Sequence, residues 1–177
     1  MLMVVKNNYF YNAGEADERM EFIANGDIAR LARIRRFEDL YGFRFAEARL
    51  EFPGYDDAEV ECRIMLDTLS ADTPSLSRDA SFRLFHSVSE DYLDEKSKAK
   101  RYKKVMENPH FNALQVKFAY AVTCHKAQGG QWSAVFVDRM LFGDEPMSHD
   151  RLRWLYTART RANERTYLVN FHVRMFS

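Results

Sequence analysis

Two stretches of the chain alternate apolar and polar residues with a period of two. In the first, Ala46, Ala48, Leu50 and Phe52 alternate with Glu47, Arg49 and Glu51; in the second, Val60, Cys62, Ile64 and Leu66 alternate with Glu59, Glu61 and Arg63. Neighbouring side chains on a strand point to opposite faces, so each run predicts a strand with one wet face. The run from Ile28 to Phe37 is less regular but β-branched and basic, and Asn25-Gly26 just before it signals a tight turn. Together these runs predict a small antiparallel sheet or barrel of roughly 40 residues, a size suited to an insert. At the start, Leu2-Met3-Val4-Val5 predicts a buried strand, followed by a polar loop around Gly14 to Arg19.

Between residues 75 and 107 the spacing turns helical, with Leu84, Phe85, Val88, Tyr92 and Leu93 on one face. Glu90, Asp91, Asp94 and Glu95 precede Lys96, Lys98, Lys100, Arg101, Lys103 and Lys104. Acid before base suits the macrodipole of one helix, so a solvated helical face is the plain reading. A DNA-backbone patch or a protein-docking surface is the sharper one. From Asn112 onward, Leu114, Val116, Phe118, Tyr120 and Val122 alternate strictly and predict a strand. His125 to Gln131 predicts a short helix or turn. Ala134 to Val137 predicts an apolar strand of the kind found in sheets covered on both faces. Ser148 is placed to cap a helix through Leu152, Leu155 and Tyr156 to about Ala162, and Thr166 to Val169 predicts a last strand. Strands alternating with helices imply a mostly parallel sheet.

Composition narrows the class. The 177 residues are 46% hydrophobic, with 14 Phe and 9 Tyr, enough for a core and unlike a disordered chain. Twenty-six basic residues balance 26 acidic ones, which argues against binding nucleic acid through bulk charge alone but permits a local basic surface. Cys62 and Cys124 stand far apart with no CxxC pair, so neither a zinc site nor a disulfide framework is indicated, and a reducing compartment is. The first five residues are apolar before Lys6, too few for a signal peptide or a membrane span. A cytoplasmic protein without a membrane partner is expected. The β-like opening run also predicts a start inside a domain.

Two segments carry candidate chemistry. In residues 120–132 the chain leaves a predicted strand and presents Thr123, His125, Lys126 and Gln128, then Gly129 and Gly130. Such polar strand exits are where α/β folds place ligand contacts, and glycines allow a backbone close to a phosphate. By residue chemistry alone this is either a site or a plain turn. Cys124, next to His125, is expected on the opposite strand face, and a lone His without a second ligand at metal spacing is not a zinc site. In residues 154–162, Arg159 and Arg161 are two apart and point in different directions on a helix. They read as two solvated arginines, or as one guanidinium aimed at a transferring phosphoryl group.

These two segments, YAVTCHKAQGGQW and LYTARTRA, resemble motifs V and VI of superfamily 1 helicases in the RecD-like branch (exonuclease V alpha subunit type). The typical forms there are Y-A-x-T-x-H-K-x-Q-G-S-E-[FW] and [LV]-Y-T-A-x-T-R-A. VVKNNY followed by NGDIA resembles the stretch where that family passes from its second motor lobe into an inserted β-domain. The resemblance implies an α/β fold: a RecA-like parallel-sheet lobe of the P-loop NTPase type, lacking the P-loop itself, over residues 1–25 and 110–177. It further implies an inserted SH3-like antiparallel β-domain over 26–70, leaving 71–109 as a helical insertion without a family counterpart. Arg161 then matches the arginine that reaches the ATP γ-phosphate across the lobe interface. Thr123, His125 and Lys126 match positions that contact single-stranded DNA. Gln128, Gly129, Gly130, Gln131 and Thr160 match positions beside the nucleotide. Gly130-Gln131 departs from the usual Ser-Glu, which alters a ribose or phosphate-water contact, and Arg159 stands where the family is usually apolar.

No G-x-x-x-x-G-K-[ST] loop and no acidic Mg²⁺ motif after an apolar strand occurs in these residues. The implied activity is therefore that of a C-terminal part of an ATP-dependent DNA helicase, leaning toward 5′ to 3′ movement. ATP and Mg²⁺ would be held mainly by an N-terminal RecA-like lobe of the same polypeptide, and this stretch alone would not hydrolyse ATP. The alternative is a non-catalytic nucleic-acid-binding or protein-interaction module with the same fold.

Overall fold

A computed structural model describes residues 1–11, 20–139 and 148–172, so the polar loop expected around Gly14 to Arg19 lies outside the described residues. The chain divides into two units, residues 1–120 and 121–177.

In the first unit, strands β1 (Leu2–Val4), β2 (Ile28–Leu40), β3 (Phe43–Phe52), β4 (Ala58–Met65) and β5 (Leu114–Phe118) close into a barrel in that order. The period-two runs behave as expected. Ala48, Leu50 and Phe52 of β3 and Val60, Cys62 and Ile64 of β4 are buried, and they meet Leu2, Val4, Leu114 and Val116 in one core. Their pairing, Ala48 with Cys62 and Leu50 with Val60, stacks apolar neighbours across the two strands. The Asn25-Gly26 turn forms, with Gly26 at φ +107°, and Val4 exchanges backbone hydrogen bonds with it through Gly26 and Asp27, both 2.9 Å.

The boundaries differ from the expected ones. Residues 2–4 and 114–118, expected in an α/β lobe, complete the barrel, so residues 26–70 supply only three of its five strands. The cause lies in the direction of the last pair. β4 and β5 run parallel, and a parallel pair needs a crossover rather than a tight turn. Helices α1 (Asp67–Ser70), α2 (Arg78–Glu90) and α3 (Lys98–Met106) lie on that crossover. The helical stretch thus connects two barrel strands instead of hanging from the fold.

Ser77 and Ser97 cap α2 and α3 through their hydroxyls. Ala80, Leu84 and Val88, four apart along α2, face Phe43, Phe45, Met65, Val105 and Ala113 in a second core. Thr68, fully buried in α1, fixes the crossover to β5: its hydroxyl donates to the Met65 carbonyl at 2.8 Å and accepts from the Val116 N–H at 3.1 Å. The acid-then-base run does not share one helix. Glu90 ends α2, where an acid opposes the macrodipole, and all the basic residues of the run but Lys96 fall on α3, where Lys104 pairs with Glu95 at 3.6 Å and Lys103 with Glu107 at 3.8 Å.

The second unit consists of β6 (Trp132–Asp138), α4 (His149–Arg159) and β7 (Ala162–Val169), with β6 and β7 parallel. The Ser148 hydroxyl caps α4 by accepting from the Arg151 N–H at 3.3 Å. α4 stops at Arg159, short of the expected Ala162, because Ala162 already pairs with Trp132 as the first residue of β7. The strand expected to run on to Val122 ends at Phe118. β6 is not covered on both faces: Val137 is buried, but Phe136 is 70% exposed and stacks on Tyr167 at 4.7 Å. Among the described residues, no helix is long and apolar enough to cross a membrane.

Candidate nucleotide and nucleic-acid site

Residues 124–129 form consecutive turns rather than a strand. The Thr123 carbonyl accepts from the Ala127 N–H at 3.1 Å, the His125 carbonyl from the Gln128 N–H at 3.3 Å, and the Ala127 carbonyl from the Gly130 N–H at 3.2 Å. The Thr123 hydroxyl accepts from the Lys126 N–H at 3.4 Å. With the small Ala127 tucked inside, this coil displays Thr123, His125, Lys126 and Gln128 to solvent. Thr123 therefore stabilises the turn as well as facing outward.

Because the backbone turns here, the expected separation of Cys124 and His125 onto opposite strand faces does not hold. Both line one cleft of about 390 Å³, together with Gln128 and, from α4, Asp150, Arg151, Arg153, Trp154 and Thr157. The Cys124 thiol donates to the Trp154 carbonyl at 3.6 Å. Its pKa is raised by burial, which the nearby Arg161 guanidinium partly offsets. Asp150, Arg151, Arg153 and Trp154 precede the LYTARTRA segment, and the sequence reading did not place them at the site. The signal was present, however: positions 150, 153, 154 and 157 follow i, i+3, i+4, i+7 spacing, which puts them on one helix face.

Gly129 and Gly130 are glycines for different reasons. Gly129 sits at φ +89°, a conformation that favours glycine. Gly130 lies beneath the Trp132 indole, and a Cβ there would come within 2.3 Å of the ring. Gln131, the other departure from the family form, is exposed.

Arg161 brings the two motif segments together. Its carbonyl accepts from the Trp132 N–H at 2.9 Å. Its guanidinium donates to the Gly130 carbonyl at 3.4 Å, the Thr157 carbonyl at 3.3 Å and the Thr160 hydroxyl at 3.2 Å, while Thr160 itself donates to the Thr157 carbonyl at 3.0 Å. All three guanidinium bonds exceed the usual N–H···O distance of about 2.9–3.0 Å, so they hold the side chain loosely. Arg159, by contrast, is exposed at the last turn of α4.

Among the described residues, no group of three or more His, Cys, Asp or Glu is arranged to hold a metal ion. Residues 118–169 match the family model of the UvrD-like helicase C-terminal domain. The matched span contains every residue of the site just described and supports a helicase-related C-terminal region there. No curated protein matches the chain.

Proposed function

We propose that residues 121–177 belong to the second RecA-like lobe of a superfamily 1 DNA helicase or translocase of the RecD-like type. Arg161 would act on the γ-phosphate of ATP, and the turn bearing Thr123, His125 and Lys126 would touch single-stranded DNA. The observation that carries this reading is the connection through Arg161. One residue donates to Gly130 at the end of the DNA-facing turn and carries the guanidinium suited to phosphoryl charge. Its long, exchangeable bonds allow a phosphate to draw the side chain out, and release of the Gly130 carbonyl would be felt in the turn. Nucleotide state and DNA grip would then be linked through a single backbone segment.

The exposed aromatic surface of the parallel pair β6–β7 supports the same reading. Parallel strands are normally buried on both faces by helices of the same lobe, and Phe136 leaves room for such a layer. In this proposal ATP and Mg²⁺ bind mainly to a first RecA-like lobe elsewhere in the polypeptide, and Arg161 completes the site when the lobes close.

The test is single-stranded-DNA-stimulated ATP turnover of the full-length polypeptide, comparing wild type with Arg161→Ala. Turnover is expected to fall about a hundredfold or more with nucleotide binding largely kept. Unchanged turnover would make Arg161 a surface arginine and leave the helicase reading to rest on resemblance alone.

A further inference from the structure

Helices α2 and α3 carry a strip of exposed aromatic rings on the outside of the barrel unit, with positive charge at one end. We propose that this strip docks an acidic segment of a partner protein. The partner's carboxylates would meet Lys98 and Lys100, and its apolar side chains would rest on Phe82 and Tyr102.

The strip lies where the core does not need it. Ala80, Leu84 and Val88 form the buried row of α2. Phe82 and His86 are each two positions from that row, about 200° round a helix of 3.6 residues per turn, so they face away from it. Phe82 is 64% exposed and lies against His86, with ring centroids 4.3 Å apart. His86 meets Phe85 at 5.9 Å, and Phe85 meets Tyr102 of α3 at 5.9 Å, so four rings run from one helix to the other. Phe85 also touches Phe111 at 5.9 Å, which ties the middle of the strip to the second core. Tyr102, at the far end, is 56% exposed. Single exposed apolar residues are ordinary, whereas a contiguous group rimmed by charge marks a surface that meets another protein.

Charge sets what can lie there. α3 bears Lys98, Lys100, Arg101, Lys103 and Lys104 and no acid. Lys103 and Lys104 pair with Glu107 and Glu95, and Arg101 donates to the Glu95 carbonyl at 2.8 Å. Lys98 and Lys100 are exposed, and their ammonium groups have no partner among the described residues. Lys98 stands one turn before Tyr102 on the same side of the helix. At the Phe82 end, the neighbouring charges of Arg78 and Asp79 offset each other. The strip is thus apolar along its length and positive at one end.

That layout selects among partners. A nucleic acid strand carries a phosphate at every nucleotide and needs cations along its whole path. The rings also meet at 66° and 46°, so they do not form the parallel platform on which successive bases stack. A polypeptide with carboxylates at one end and large apolar side chains beside them matches both features.

The inference goes beyond the proposed function and does not rest on it. Its test uses the whole chain and a fluorescein-labelled peptide, Asp-Asp-Asp-Leu-Phe, followed by fluorescence anisotropy. Binding is expected, and Phe82→Ser, Tyr102→Ala and Lys98→Glu should each weaken it about tenfold. Replacing Leu-Phe of the peptide by Ser-Ser, or its Asp residues by Asn, should weaken it by about as much. All three substituted side chains are exposed, so thermal melts followed by circular dichroism should match the wild type. No binding at millimolar peptide, equal binding of the serine peptide, or unchanged affinity in Phe82→Ser and Lys98→Glu would overturn the inference. Displacement of the peptide by an oligothymidylate would make the surface a nucleic-acid contact, which also overturns it. So would a dimer in sedimentation velocity that Phe82→Ser abolishes, because the occupant would then be a second copy of the chain. Loss of turnover in Arg161→Ala is read separately, so either idea can fail alone.

Discussion

Gly130→Ala is expected to destabilise residues 121–177 by about 1–3 kcal/mol, the usual cost of forcing an extra group into an occupied space. The added Cβ would lie 2.3 Å from the nearest atom of the Trp132 ring and 2.9 Å from two more, so the indole must move. Trp132 is 42% exposed and can swing outward, which caps the cost at the packing it gives up. The backbone at Gly130 does not need a left-handed conformation, so alanine there would otherwise stabilise by about 0.4–1 kcal/mol through the unfolded chain. In a Trp132→Ala background the sign should therefore reverse. Gly129 serves as the internal control: its φ of +89° penalises a side chain by about 1–2 kcal/mol with nothing within 4 Å to clash. Its cost should be the same in both backgrounds. Both tryptophans, Trp132 and Trp154, lie in residues 121–177, so urea denaturation followed by tryptophan fluorescence reads this unit selectively. In the Trp132→Ala background, Trp154 carries the signal. An equal cost for Gly130→Ala with and without Trp132 would refute the steric reasoning.

Thr68→Val keeps the side-chain volume but removes the acceptor of the buried Val116 N–H, so it should cost about 1–3 kcal/mol. Far-UV circular dichroism during urea denaturation should show the loss, with the tryptophan transition unmoved. The Glu38 carboxyl is held below its ordinary pKa, first by its hydrogen bond with His110 at 2.9 Å and then by the charges of His110, Arg36 and Arg63. A depressed folded pKa contributes stability that is present above the unfolded value of about 4.3 and lost as pH falls through the folded value. Glu38→Gln should therefore narrow the gap between urea midpoints at pH 6 and pH 3, and an unchanged gap would remove Glu38 from the acid response.

How much of this was legible depended on whether a signal was local. Ala48, Leu50, Val60 and Cys62 point inward as their alternation requires, because period two is set by the strand itself. Ser148 caps α4 for the same kind of reason. The partners of β1 and β5 are long-range facts. Leu2 pairs with both Ala29 and Phe118, and nothing in Leu2-Met3-Val4 distinguishes a barrel strand from a strand of an α/β lobe. The alternation from Leu114 to Val122 overran for a related reason: it is a strand only as far as it has a neighbour to pair with, and its last ladder pair is Phe118 with Leu2, followed by one bond from the Ala119 N–H to the Met1 carbonyl at 3.1 Å. In the candidate site, the displayed residues of the turn could be read from sequence, whereas the bonds that converge on Gly130 could not. A residue two positions past Arg159 gives no hint that its guanidinium reaches back 31 positions along the chain.

The balanced composition also acquires a meaning only in three dimensions. The barrel strands bear many arginines, but Arg30 pairs with Glu51, Arg35 and Arg49 with Glu61, and Arg63 with Glu47, at 2.7 to 2.9 Å. These pairs offset much of that charge, so the basic look of β2 does not by itself make it a phosphate surface. The cation in the turn proposed to touch DNA is Lys126, which is exposed. Binding of single strands there should therefore rest on few phosphate contacts. Each phosphate contact contributes about −0.7 to the slope of log affinity against log salt for single strands, so a slope of about −1 is expected. A slope of −4 or steeper would mean that the ion-paired arginines open to receive DNA, and the barrel face would then have to be counted as part of the binding surface.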